Sequence, residues 1–142
     1  MLLNTTASAP LGFYAVTPGR SKPGQLAVAS PPPELARWMA GRGYLPANVP
    51  LLKEVAAVGG QRVCGLNGAI FIDGVVVAQA RHHDRWGRRL VVFDGCRRLD
   101  PGEVFLLNRA APLSLDSRYF GPVAADRVVG SAAPLWTWGP SL

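Results

Sequence analysis

Thirteen of the fifteen cationic side chains in this 142-residue chain are arginines; the two lysines are Lys22 and Lys53. Lys53 lies in the run LLKEVAAV, where strand alternation would give it Leu51, Val55 and Ala57 as same-face neighbours. A lysine among such side chains loses hydration of its charged form, and its pKa falls toward the range of a general base. The alternative is a strand-edge lysine whose stem covers apolar surface while its ammonium reaches water. A second candidate is Ser8, set among small residues in TTASAPLG just before a proline and a glycine. Its hydroxyl is sterically open and its backbone N–H could face a bound carbonyl; the alternative is a plain lead-in to the first strand. The third feature is SLDSRYFG. If that segment is extended, Asp116 and Arg118 share a face and can pair, with the hydroxyls of Ser114 and Ser117 beside them.

Other chemistries find little support. No phosphate-cradling G-x-x-x-x-G-K-[ST] loop and no G-x-S-x-G elbow is present. A Ser-His-Asp triad would need His82 or His83, both inside the basic run 81–89. The two histidines are adjacent, so on a strand they point to opposite faces, and a zinc site with Cys64 and Cys96 is not expected. No cofactor is implied. The even cysteine count permits one disulfide without requiring it, and the spacing is not C-x-x-C.

The elements that must position these residues are short. Sixteen glycines and thirteen prolines leave little room for long helices, which favours a β-rich fold. Nearly half of the residues are apolar and 17% are charged, unlike a disordered chain. Strands are expected over 12–18, 25–30, 62–66, 69–72, 75–80, 90–93 and 103–108, with more in the tail, about eight or nine in all. Asp73-Gly74 marks a tight hairpin. Residues 51–58 are ambiguous between helix and strand. A short helix from Glu34 to Ala40 lies in a flap or insertion over 30–50 that carries Trp38, Met39 and Tyr44. This flap is expected either to touch membrane or substrate or simply to cap an open sheet. The net charge of +6 invites a nucleic-acid or anionic-headgroup partner. However, the arginines are dispersed outside 81–98 and no nucleic-acid-binding signature is present, so no nucleic acid is expected.

Three segments in this order resemble the serine–lysine signal peptidase family (S26), in particular its TraF-type conjugative-transfer branch. NTTASAPLGFY resembles the nucleophile box, LLKEVAAVGGQRV the general-base box, and SLDSRYFGPV the S-x-D-S-R-Y-[FW]-G box. PGQLAV and GCRRLDPGEVFLL fit the same branch. The sequence departs from the pattern at Gln25, Glu54, Gly59 and Gln61.

The resemblance implies one signal-peptidase-like catalytic domain over 1–142, mainly β. It would be built of antiparallel sheets or a partly open barrel with one short helical insertion. It implies a Ser8 nucleophile, a neutral Lys53 base, and an oxyanion hole from the Ser8 N–H and the Thr6 hydroxyl. Ser114 would orient Lys53, and Asp116 with Arg118 would hold that wall. The substrate would be an exported pre-protein or a conjugative pilin precursor, cleaved and in some members cyclised, with a membrane surface as second partner. The implied location is the periplasmic face of the bacterial inner membrane; family members carry an N-terminal anchor, so the resemblance implies that this chain is the soluble portion parted from it. That compartment makes a Cys64–Cys96 disulfide reasonable. The departures motivate an alternative, a catalytically silent scaffold module of a conjugation or secretion system.

Overall fold

The computed structural model describes residues 1–4 and 9–138. In chain order the elements are β1 (Leu2–Asn4), β2 (Leu11–Pro18), β3 (Leu26–Ala29), α1 (Pro33–Gly41), β4 (Leu51–Val58), β5 (Arg62–Leu66), β6 (Ala69–Ile72) and β7 (Val75–Gln79). There follow β8 (Gly95–Arg98), β9 (Glu103–Leu107), α2 (Ser117–Phe120), β10 (Val123–Ala124) and β11 (Val128–Trp138). A seven-stranded sheet runs β1-β2-β11-β3-β4-β9-β10, and a four-stranded sheet runs β7-β6-β5-β8. All pairings are antiparallel. The larger sheet does not close on itself: β1 and β10 each pair with one neighbour.

The ambiguous run 51–58 is a strand, and tertiary packing explains why. β4 lies between β3 and β9, so both of its hydrogen-bonding edges are occupied. Leu51 and Val55 pack with Ala27, Ala29, Met39 and Leu106 in one buried cluster. Leu52 belongs to another, with Ala9, Tyr14 and Val28. The two sides of β4 therefore face different cores, which is why Leu51, Leu52 and Lys53 are buried in succession where one-sided alternation would expose one of them. Ala27 stands directly across from Lys53.

α1 starts with a proline in its first turn and no side-chain cap, where the missing N–H costs nothing. It docks Met39 into the core. The Asp73-Gly74 turn has both residues at positive φ (48° and 82°), and the Asp73 carboxylate accepts from the Arg62 N–H and from Gln61 Nε2.

Three expectations need correction. The described residues hold eleven strands rather than eight or nine, because β1, β8 and the two-residue β10 form only by pairing with distant partners. Residues 90–93 form no strand: the Leu90 N–H goes to the His82 carbonyl and the Phe93 N–H to the Arg118 carbonyl, outside any ladder. SRYF is the short helix α2 rather than extended chain, because Asp116 caps it. No helix among the described residues is long and apolar enough to cross a membrane.

Candidate functional site

Lys53 is 4% exposed. Its Nζ donates to Ser114 Oγ at 2.8 Å, across 61 positions of sequence. Burial lowers its pKa to about 8; the Asp116 charge opposes that shift and the Arg118 charge assists it. β4 supplies Lys53, and the loop between β9 and α2 supplies Ser114. The Ser114 N–H is tied to the Ala111 carbonyl, and the Ala111 N–H to that of Asn108, so two successive turns fix the hydroxyl's approach.

Behind Ser114 is a buried ionic network. The Arg118 guanidinium donates through Nε to Asp116 Oδ1 (2.9 Å) and through Nη2 to Oδ2 (2.8 Å). The pair is 2% and 0% exposed. Asp116 also accepts the N–H groups of Asn108 and Arg118. Nη2 reaches the Asn108, Ala111 and Ser114 carbonyls, and Nη1 reaches that of Gln79. Ser117 Oγ accepts the Leu106 N–H of β9. Asp116 and Arg118 do pair, but through a helix cap and not through a shared strand face. Burial works against the Arg118 charge, while the bond and charge of Asp116 hold its pKa above the ordinary value. The network joins the loop, α2, β9 and the end of β7 around the base of Lys53.

Ser8 and Thr6 lie outside the described residues. Their neighbours are well held. Asn4 Nδ2 donates to the carbonyls of Ala9 (3.2 Å) and Pro10 (3.1 Å), and the Tyr14 hydroxyl donates to the Pro10 carbonyl. Ala9 is buried in the cluster that contains Leu52, the residue before Lys53.

The departures from the family pattern have local explanations. Glu54 is ion-paired with Arg109 at the surface. At Gly59 a Cβ would sit 2.6 Å from the Pro101 Cα, so the crossing backbone demands glycine. Gln61 accepts the Val58 N–H and donates to Asp73, bracing the turn into β5. Gln25 accepts the Lys22 N–H at 2.7 Å in the turn before β3.

Beside Lys53 opens a cavity of about 370 Å³ whose lining includes Met39, Leu45, Leu52, Ser114 and Tyr119. Its far rim is the basic loop 81–89. There the buried Asp84 accepts from the Tyr44 hydroxyl at 2.6 Å and from Arg88 Nε at 2.7 Å. Burial would raise its pKa, but the hydrogen bonds from Tyr44, Arg88 and the Trp86 N–H hold it well below the carboxylate range. Tyr44 packs between Trp38 and Trp86, with ring centroids 5.1 and 6.1 Å away. The flap over 30–50 is thus pinned to the basic loop. Sequence reading passed over Asp84 and Asn108, and took Tyr44 only as a flap residue, not as a partner of the basic loop. A lone acid in RHHDRWGRR was the available signal for Asp84; nothing marked Asn108.

Cys64 and Cys96 are directly opposed on β5 and β8 and form a disulfide. His82 and His83 are not part of the Lys53–Ser114 network; His83 lines the rim of the cavity.

The centre on this open antiparallel fold is thus a buried lysine bonded to a serine, with an Asp–Arg pair behind it. The family described as signal peptidase, peptidase S26, matches residues 4–138, and the chain belongs to that family. The conjugal transfer protein TraF of Agrobacterium fabrum (strain C58) is 36% identical, covering 97% of this chain and 83% of that protein. A probable conjugal transfer protein TraF of Sinorhizobium fredii is 34% identical, over 97% and 78%. A plasmid transfer protein TraF of Escherichia coli is 26% identical, over 96% and 82%. Among solved structures, a signal peptidase I of Enterococcus faecalis V583 aligns with a TM-score of 0.46 and 18% identity, covering 81% of this chain and 98% of that one.

Proposed function

We propose that the chain is a serine endopeptidase in which Ser8 is the nucleophile and Lys53 the general base, acting on the leader or terminal segment of an exported protein. The observation that carries this reading is the burial of Lys53 with its amine bonded to Ser114 and its pKa brought to about 8. A neutral amine has two N–H donors and one lone pair. Spending one donor on Ser114 fixes the rotamer and leaves the lone pair to accept the Ser8 proton.

In the reaction the Ser8 Oγ forms a bond to the scissile carbonyl carbon as Lys53 takes the hydroxyl proton. The Ser8 N–H and the Thr6 hydroxyl receive the oxyanion. Lys53 then gives its proton to the leaving amine, and an acyl-enzyme remains. Attack by water completes hydrolysis; attack by a substrate amine would close a ring and release no acid. The conjugal-transfer names of the relatives suit a pilin precursor as substrate and the periplasmic face of the inner membrane as the place of action. The catalytically silent scaffold reading, motivated by the departures from the family pattern, would be favoured by a Lys53 in water; Lys53 is 4% exposed.

Ser8→Ala and Lys53→Ala should each reduce cleavage of a pilin-precursor peptide to background while circular dichroism stays unchanged. In the wild type kcat/KM should rise with unit slope through pH about 8 and then level off, because only the deprotonated lysine accepts a proton. Full activity in either variant, or a rise confined to the ordinary lysine range near 10.5, would overturn the assignment.

A further inference from the structure

The lining of the cavity beside Lys53 combines apolar side chains, among them Met39, Leu45, Leu52 and Leu113, with the basic Arg81, His83 and Arg85. Both arginines are exposed. Asp84 is the one acid in the lining, and its oxygens are taken. Oδ2 accepts from Tyr44 and Arg88 Nε, and Oδ1 from the N–H groups of Trp86 and Arg88. Among the described residues no carboxylate lies in ion-pair range of Arg81 or Arg85.

Arg81 is tied at its backbone and Arg85 touches a ring with its side chain. The Arg81 N–H donates to the Tyr119 hydroxyl at 2.9 Å, which ties that end of the loop to α2. The Arg85 guanidinium lies 4.2 Å from the Trp86 ring centroid. Contact with a ring face uses none of its N–H donors. Two exposed guanidiniums without a carboxylate partner, in the lining of a cavity that also carries apolar side chains, suit a planar anion attached to an apolar chain.

We infer that Arg81 and Arg85 form a carboxylate-binding rim that selects substrates bearing an acidic group next to the residue that enters the cavity. The shared chemistry is a peptide carboxylate, from an Asp or Glu side chain or from a C-terminus. The term substrate rests on the peptidase reading above, but the binding does not require turnover, so the two can fail separately.

The test is fluorescence anisotropy of three fluorescein-labelled, Leu- and Ala-rich decapeptides against the full chain. One carries an internal Glu and an amidated C-terminus, the second Gln and an amidated C-terminus, and the third Gln and a free C-terminal carboxylate. At least one carboxylate peptide should bind about tenfold more tightly than the Gln amide, a size suited to a partly exposed charge-assisted contact. Which one does so identifies the source. The Arg81→Gln/Arg85→Gln variant should erase the difference, while Arg20→Gln, at an exposed turn away from the cavity, should preserve it. Equal binding of all three peptides, no binding of any, or an equal loss in Arg20→Gln would overturn the inference. A preference for the carboxylate peptide without cleavage would uphold the rim and count against the peptidase reading.

Discussion

Replacing Lys53 by methionine should make the protein more stable at neutral pH and less stable in alkali. The wild-type lysine has a pKa of about 8 in the folded state, against 10.5 as its ordinary value. At ~1.4 kcal/mol per unit, folding at pH 7 carries a penalty on the order of 3 kcal/mol for keeping that ammonium buried. The sign follows from proton counting. Between pH 8 and 10.5 the unfolded chain binds more protons at this residue than the folded chain, so wild-type stability rises with pH across that window. Below it the penalty is present in full; above it the penalty is gone. Methionine has a similar unbranched shape and no charge, but it abandons the bond to Ser114, which costs ~1 kcal/mol. The variant should therefore gain about 2 kcal/mol at pH 7, a rise in Tm of roughly 4–8 °C for a chain of this size. At pH near 10.5 it should fall ~1 kcal/mol below the wild type. Urea denaturation of both proteins at half-unit steps from pH 7 to 10.5 reads the difference directly, because titrations common to both cancel. A variant less stable at pH 7, or a gap that does not change with pH, would refute the claim that burial depresses this lysine. The same variant should be inactive, so stability and function would trade at one side chain.

Asp116→Asn should destabilise the fold by about 3–5 kcal/mol in urea, because it leaves the Arg118 guanidinium charged and enclosed with only carbonyls for partners; a loss under 1 kcal/mol would mean the pair is dispensable. Reducing or replacing the Cys64–Cys96 bridge, which joins residues 32 apart, should cost ~3–4 kcal/mol in the chain-entropy account, seen as a lower urea midpoint under reducing conditions.

Much of the strand plan was legible because local chemistry and pairing agree there. Asp73-Gly74 favours a left-handed turn whatever surrounds it, and the flanking apolar runs fill the adjoining strands. Leu51–Val58 was ambiguous because its buried succession requires knowing that two separate cores flank β4. The run 90–93 misled: Val91, Val92 and Phe93 favour a strand, but the Leu90 and Phe93 N–H groups go to the carbonyls of His82 and Arg118, which no local pattern announces.

The residue types at the centre were set by sequence alone: a solitary lysine in an apolar run, and Ser114, Asp116 and Arg118 in one short box. That much is visible because the chemistry depends on side-chain identity and close spacing. Their meeting was decided by the tertiary structure. Lys53 and Ser114 are 61 positions apart, and only the β4–β9 pairing and the capped turn at Asp116 carry one to the other. The basic rim was likewise a string of arginines until the fold turned it toward the cavity and gave the one nearby acid, Asp84, to other partners. Burial and electrostatic pairing are properties of where side chains end up, and in this protein burial brings the Lys53 pKa down to about 8.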